Sequence, residues 1–129
     1  MPVTESLRFC VNWARIIKKE SIAMYEITKS DWKIYREKLS DWQEHYMERL
    51  LQSYKELIES PGNASDRFWE LEKRIKRDRR HPGVIIEVRR STAVWDIANF
   101  VDKEVITMEE LEGFSQDLID AVKFILSRR

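Results

Sequence analysis

Six of the eight residues Lys73-Arg74-Ile75-Lys76-Arg77-Asp78-Arg79-Arg80 are cationic, in a chain whose formal net charge is zero. Charge gathered in this way creates a local field that attracts an anionic partner. At about 100° per residue, Trp69, Lys73, Lys76 and Arg80 fall on one helical stripe, and Arg77 flanks it. Arg89 and Arg90 follow beyond the turn at His81-Pro82-Gly83 and can enlarge the same patch. An indole beside several cations suits single-stranded nucleic acid, where rings stack on bases while cations track phosphates. The plainer reading gives these residues structural duties. Long cationic stems lie over an exposed indole, and the helix dipole favours cations near a C-terminus by about 0.3–1 kcal/mol each. The candidate binding residues, for an anion or a protein partner, are Trp69, Lys73, Lys76, Arg77, Arg80, Arg89 and Arg90. Residues 91–129 are acidic (Glu109, Glu110, Glu112, Asp117 and Asp120 among them), so neutralisation by the last helix is the competing expectation.

Other chemistry finds little support. His45 has Asp41 one turn before it and Glu48 three residues after it, but the only other histidine is His81, ahead of a proline. A di-metal bundle needs Glu-x-x-His on two helices and further inward carboxylates; a zinc site needs more histidines or a cysteine pair. Gly62, Gly83 and Gly113 are too far apart to form a phosphate-cradling loop. No motif joins a nucleophile to a base. The expectation is therefore no catalytic residue, no metal site, no cofactor and no enzyme activity.

Cys10 is the only cysteine and lies in an apolar run, as a small buried residue of a reducing compartment would. The run Leu7 to Ile17 is interrupted by Arg8, Asn12 and Arg15 and falls short of the ~18 apolar residues of a membrane span. A cytoplasmic location without membrane contact follows as the expectation.

The elements that must position these residues are helical. Glycine and proline are scarce, at three each among 129 residues, and aromatics are plentiful, which disfavours all-β and disordered classes. A first helix is predicted from about Glu5 to Thr28, apolar on more than one side, with Trp13 off the main stripe. Ser30 is a candidate cap for a second. In that long helix Trp32, Tyr35, Leu39, Trp42, Tyr46, Leu50, Tyr54 and Leu57 recur every three or four residues. Ser60-Pro61-Gly62-Asn63 reads as a turn, followed by a third helix to about Arg80 whose core face is Phe68, Leu71 and Ile75. Residues 84–90 suit either a strand or the start of a helix running to Asp102. The helix is preferred, because no second strand is evident. Thr107 and Glu110 form a capping box that opens the last helix, ending near Ser127; Gly113 inside it suggests a close helix crossing. Ser-Asp-Trp occurs at 30–32 and again at 40–42, too short to count as a repeat.

The sequence thus predicts one all-α domain over residues 1–129, an antiparallel bundle of four to five helices with one long central helix paired in a homodimer. Its expected function is non-enzymatic binding of a macromolecule through the basic helix and a spare apolar face. The alternative is a nucleic-acid-binding regulator using residues 73–90.

Overall fold

The computed structural model describes residues 26–129. The predicted first helix, with Cys10 and Trp13, lies outside them. The described chain is all-α: α1 spans Lys29–Glu59, α2 Ala64–Asp78, α3 Ala93–Asp102 and α4 Gln116–Ser127, with 3₁₀ turns at Arg90–Thr92 and Met108–Leu111. There is no strand among the described residues, and no helix among them is long and apolar enough to cross a membrane.

The expected joint near Lys29 is present, but its cap is Thr28 rather than Ser30. The Asp31 N–H donates to Thr28 Oγ1 (3.2 Å), and the Trp32 N–H donates to the Thr28 carbonyl (2.8 Å). The described residues divide into two compact units, Lys38–Glu87 and the remainder.

The unit of residues 26–37 and 88–129 holds a dense core. Tyr35, Ile97, Phe100, Leu118, Ala121 and Val122 have no exposed surface, and α3 packs on α4. α3 ends in a turn of the Schellman type, in which Val105 N–H donates to Phe100 O (2.8 Å) and Glu104 N–H to Val101 O (3.1 Å). Glu104 takes the left-handed position at φ 62°, and Val105 and Ile106 are thereby turned into the core.

Two expected helices are corrected here. Residues 84–89 are neither strand nor helix; regular structure resumes at Arg90. Their β-branched side chains lose rotamer freedom in a helix, and Ile85 and Val88 remain exposed, so no packing compensates. The Thr107–Glu110 capping box is real, but it opens only a four-residue 3₁₀ turn. Gly113 then adopts φ +103°, a conformation that favours glycine, and ends that turn. It marks no helix crossing, because a side chain there would meet nothing. α4 starts afresh, with Ser115 Oγ accepting the Leu118 N–H (3.2 Å). The buried Asp31 carboxylate in turn accepts the Ser115 N–H (2.9 Å) and hydroxyl (2.5 Å), tying the start of α4 to the first turn of α1.

The unit Lys38–Glu87 is a helical hairpin. The rest of α1 runs to the turn at 60–63, and α2 returns antiparallel, with Arg67 against Ile58, Tyr54 against Asp78, and Gln43 against Pro82. Within it only Leu39, Trp42, Asp78 and Gly83 are buried. Beyond Trp42 the long stripe of α1 is at best half covered.

Candidate functional site

The hairpin faces inward with the wrong residues for a hydrophobic core. Arg67, Leu71, Arg74 and Asp78 lie in one sector of α2 and are half-buried or buried. Arg67 Nη1 donates to the Ile58 carbonyl (2.5 Å). Asp78 accepts from the Tyr54 hydroxyl (2.5 Å) and from Arg77 Nε (2.8 Å). A buried carboxylate must keep such partners, and the bond to Tyr54 of α1 holds α2 with its apolar stripe turned aside by about 60° at 100° per residue. Of the expected core face, only Leu71 turns inward. Phe68 is 60% exposed and Ile75 44%.

The Asp78 site is electrostatically settled. Burial alone would raise its carboxyl; hydrogen bonds from Arg77 and Tyr54, with the nearby guanidinium, outweigh this and hold it below the usual carboxylate value. The Tyr54 hydroxyl is pushed up to about 12 by burial and by the bond to Asp78.

The base of the hairpin is fixed by the turn after α2. The His81 ring stacks on Tyr46 at 4.6 Å between centroids. The Gly83 N–H donates to His81 Nδ1 (3.0 Å), and Gln43 Nε2 donates to the Pro82 carbonyl (2.9 Å). Glycine is needed at 83 because a Cβ would collide with the Tyr46 ring.

The sequence-predicted residues separate into two groups. Trp69, Lys73, Lys76 and Arg80 are all exposed and share the outward side of α2. The Trp69 ring, 63% exposed, meets Phe68 edge-on at 4.9 Å. Lys76 pairs with Glu72 (3.2 Å), Arg74 with Glu70 (3.0 Å) and Arg77 with Asp78 (2.8 Å), so these acids come from α2 itself. Lys73, Arg79 and Arg80 make no ion pair among the described residues.

Arg89 and Arg90 belong to the other unit. Arg90 Nη2 donates to the Ile27 carbonyl (3.3 Å) and borders a surface hollow with Lys29, Trp32, Lys33 and Arg36; the Arg36 guanidinium stands 5.4 Å over the Trp32 ring. Arg89 acts on Asp96, whose carboxyl is raised by burial; the Thr92 hydroxyl (2.8 Å) and the Arg89 charge oppose that shift. His45 is exposed, and no three His, Cys, Asp or Glu among the described residues could share a metal ion.

One feature escaped the sequence reading. On the side of the hairpin that carries Phe68 and Ile75, a cavity of about 190 Å³ opens between α1 and α2, lined by Met47, Leu50, Leu51, Tyr54, Ile75 and Val84, with Asp78 and Arg79 at its edge. The available signal was a second stripe on α1, Met47, Leu51, Tyr54 and Ile58, beside the one built on Trp42 and Leu50. Leu51 and Ile58 are 59% and 51% exposed. All the exposed large apolar residues of the described chain fall between positions 51 and 88. Comparison with protein-family models, with curated proteins and with solved structures finds no match to this chain.

Proposed function

We propose that this chain is a non-enzymatic interaction protein of the cytoplasm, a single helical domain of bundle type that binds another macromolecule through the hairpin of α1 and α2. The observation that carries the reading is the exposure of Leu51, Ile58, Phe68, Trp69, Ile75 and Ile85 on that one unit. Contiguous exposed apolar surface rimmed by charge is the usual mark of a protein contact. Large aromatics such as Phe68 and Trp69 supply much of the energy when such a surface is covered.

The test is photo-crosslinking in cells, with a photoreactive residue replacing Phe68 or Ile75 and, as control, the exposed Lys123 of the other unit. Defined covalent adducts are expected from the hairpin positions only. Absence of adducts there, or equal adducts from Lys123, would remove the reading.

Nucleic acid is the second reading, favoured by one observation: Trp69 shares its outward side with Lys73 and Arg80, which have no acidic partner among the described residues. It predicts anisotropy changes with labelled oligonucleotides that weaken steeply between about 50 and 200 mM salt. Charge reversal at the exposed Lys73 and Arg80, which hold no ion pair among the described residues, would abolish that binding and spare a protein contact. No binding at low salt, or binding indifferent to salt, ends this second reading.

A further inference from the structure

We infer that a second site lies on the other unit, where the hollow beside the start of α1 takes a compact polyphosphate anion. This inference goes beyond the hairpin and does not depend on its reading as a contact surface.

The hollow offers about 640 Å³ and is lined by Lys29, Trp32, Lys33, Arg36 and Glu37 of α1 and by Arg90. Small-ligand sites run to about 300–1,000 Å³. All six residues belong to the unit of residues 26–37 and 88–129. On α1, Lys29, Lys33 and Arg36 fall within about 60° of one another at 100° per residue, and they span about 10 Å along the axis. The bond from Arg90 Nη2 to the Ile27 carbonyl (3.3 Å) brings the fourth cation to this row across 63 residues of sequence.

The protein leaves this charge unanswered. Lys29 stands in the first turn of α1, where the helix dipole disfavours a cation, and Lys33 repeats the charge one turn on, where like charges repel. The acid of that first turn, Asp31, is buried and bonded to Ser115. Glu37 shares the hollow, yet neither it nor Lys29, Lys33, Arg36 or Arg90 forms an ion pair among the described residues. Four cations facing one carboxylate call for a ligand with several negative charges in a small volume.

The aromatic residue narrows the ligand further. The Arg36 guanidinium stands 5.4 Å over the Trp32 ring, and that ring meets Tyr35 at 5.9 Å on a tilt. Trp32 therefore positions a cation and leaves no open face for stacking a base. Two guanidiniums, each with a planar fork of donors, suit phosphate oxygens taken two at a time. The chemistry selected is a phosphate chain, whether inorganic or the tail of a nucleoside triphosphate.

The experiment is calorimetric titration of the purified full chain at 50 mM salt with inorganic phosphate, inorganic triphosphate and ATP, with circular dichroism confirming that each variant is folded. Saturable one-to-one binding of triphosphate is expected, at least about ten-fold tighter than phosphate and weakening as salt rises. Lys33→Glu and Arg90→Gln should each weaken it by about ten-fold or more. Arg36→Lys keeps the charge but loses the fork, and should weaken it by about three-fold. Lys123→Glu makes the same charge change at an exposed position elsewhere on the unit and should leave the affinity within about two-fold. ATP bound more tightly than triphosphate identifies a nucleotide as the source, and equal affinity identifies the phosphate chain alone; either supports the site if Lys33→Glu weakens both. No heat from triphosphate or ATP, triphosphate bound no better than phosphate, or Lys33→Glu acting no differently from Lys123→Glu would overturn the inference. So would a single-stranded oligonucleotide that binds through Lys33 and Arg90 while triphosphate does not. Crosslinks from position 68 bear only on the hairpin, so the two readings fail separately.

Discussion

The unit of residues 26–37 and 88–129 turns its apolar side chains inward, whereas the hairpin of residues 38–87 turns Arg67, Arg74 and Asp78 inward and leaves Phe68, Trp69 and Ile75 outside. Both are built from helices with apolar residues every third or fourth place. The difference lies in what competes for the inward sector. In the first unit α3 and α4 bury mostly aliphatic side chains around Phe100, and its two buried carboxylates are held locally or at a cap: Asp120 accepts from Gln116 on its own helix and Asp31 caps α4. In the hairpin, Asp78 sits on the inward sector itself, and its bond to Tyr54 of α1 holds α2 in that phase. A periodic apolar face announces that something will cover it; it does not say whether its own chain will.

The largest expected contrast follows directly. Phe100 is fully buried, with the Tyr35 ring at 6.4 Å, so Phe100→Ala should cost about 3–5 kcal/mol of stability. Phe68→Ala removes a ring that is already mostly in water and should cost under about 1 kcal/mol in dilute solution. Chemical denaturation of the two variants checks the pair. Comparable losses would mean that Phe68 belongs to a core within its own chain.

Next in size is the cap between α1 and α4. Asp31→Ala removes both hydrogen bonds to Ser115 and frees its N–H at the start of α4, at an expected cost of about 2–3 kcal/mol. Asp41→Ala, at the second Ser-Asp-Trp, should change stability by less than about 0.5 kcal/mol, because Asp41 is exposed. If both variants melt alike, the long-range cap carries no energy.

A smaller effect separates the units by pH. The folded Asp78 carboxyl is held below its ordinary value of 3.8, so its ionised form stabilises the hairpin above that value, and this contribution is lost as pH falls through the lower folded value. The Tyr54 hydroxyl is raised from 10.0 to about 12, so its neutral form contributes fully below pH 10 and is lost as pH rises through about 12. Asp96, raised by burial, works the other way in the first unit: its protonation on acidification favours the folded state. Amide exchange at pH 3 against pH 7 should therefore show protection falling in α2 before α3. Tyr54→Phe should reproduce the loss in α2 at neutral pH, by about 1.5 kcal/mol. Uniform loss across both units would refute the assignment.

How much of this was legible follows from where each signal resides. Helix type, the turn at 60–63, an end of the third helix near Arg80 (observed at Asp78) and the Thr107–Glu110 box itself, though not the helix it was expected to open, are local signals carried by caps, glycines and spacing within a few residues. The restart of α4 had a local signal in Gly113 and the Ser115 cap that the apolar spacing from Leu111 onward masked; its long-range tie, Asp31, lies 84 residues from Ser115 and was not legible. Nothing in Ser30-Asp31-Trp32 distinguishes it from Ser40-Asp41-Trp42, where the aspartate is exposed and the tryptophan buried. The outward stripe of Trp69, Lys73, Lys76 and Arg80 was visible from helical spacing. The phase of α2 was not: it hinges on a buried aspartate finding a tyrosine on the other arm, and the hydrophobic pattern alone would have turned Phe68 and Ile75 inward. The cavity was hidden for the same reason, since its lining joins residues of both arms and the turn after α2.

The smallest expected effect sharpens the choice between partners for the outward side of α2. Glu70 and Glu72 pair with Arg74 and Lys76 one turn on, with every side chain involved at least one-third exposed. Such pairs contribute only about 0.3–0.5 kcal/mol each in water, so Glu70→Gln/Glu72→Gln should lower stability by less than about 1 kcal/mol. The same change removes two negative charges from the flanks of a stripe whose Lys73 and Arg80 form no ion pair among the described residues. If phosphates are the ligand, oligonucleotide affinity at 50 mM salt must rise, because less acid competes for the same cations. If instead the stripe is a solvated flank beside an apolar protein contact, affinity for oligonucleotides stays undetectable, and the crosslinks from position 68 are unchanged. Stability and binding thus move independently in one variant, which a purely structural role for the basic run would not allow.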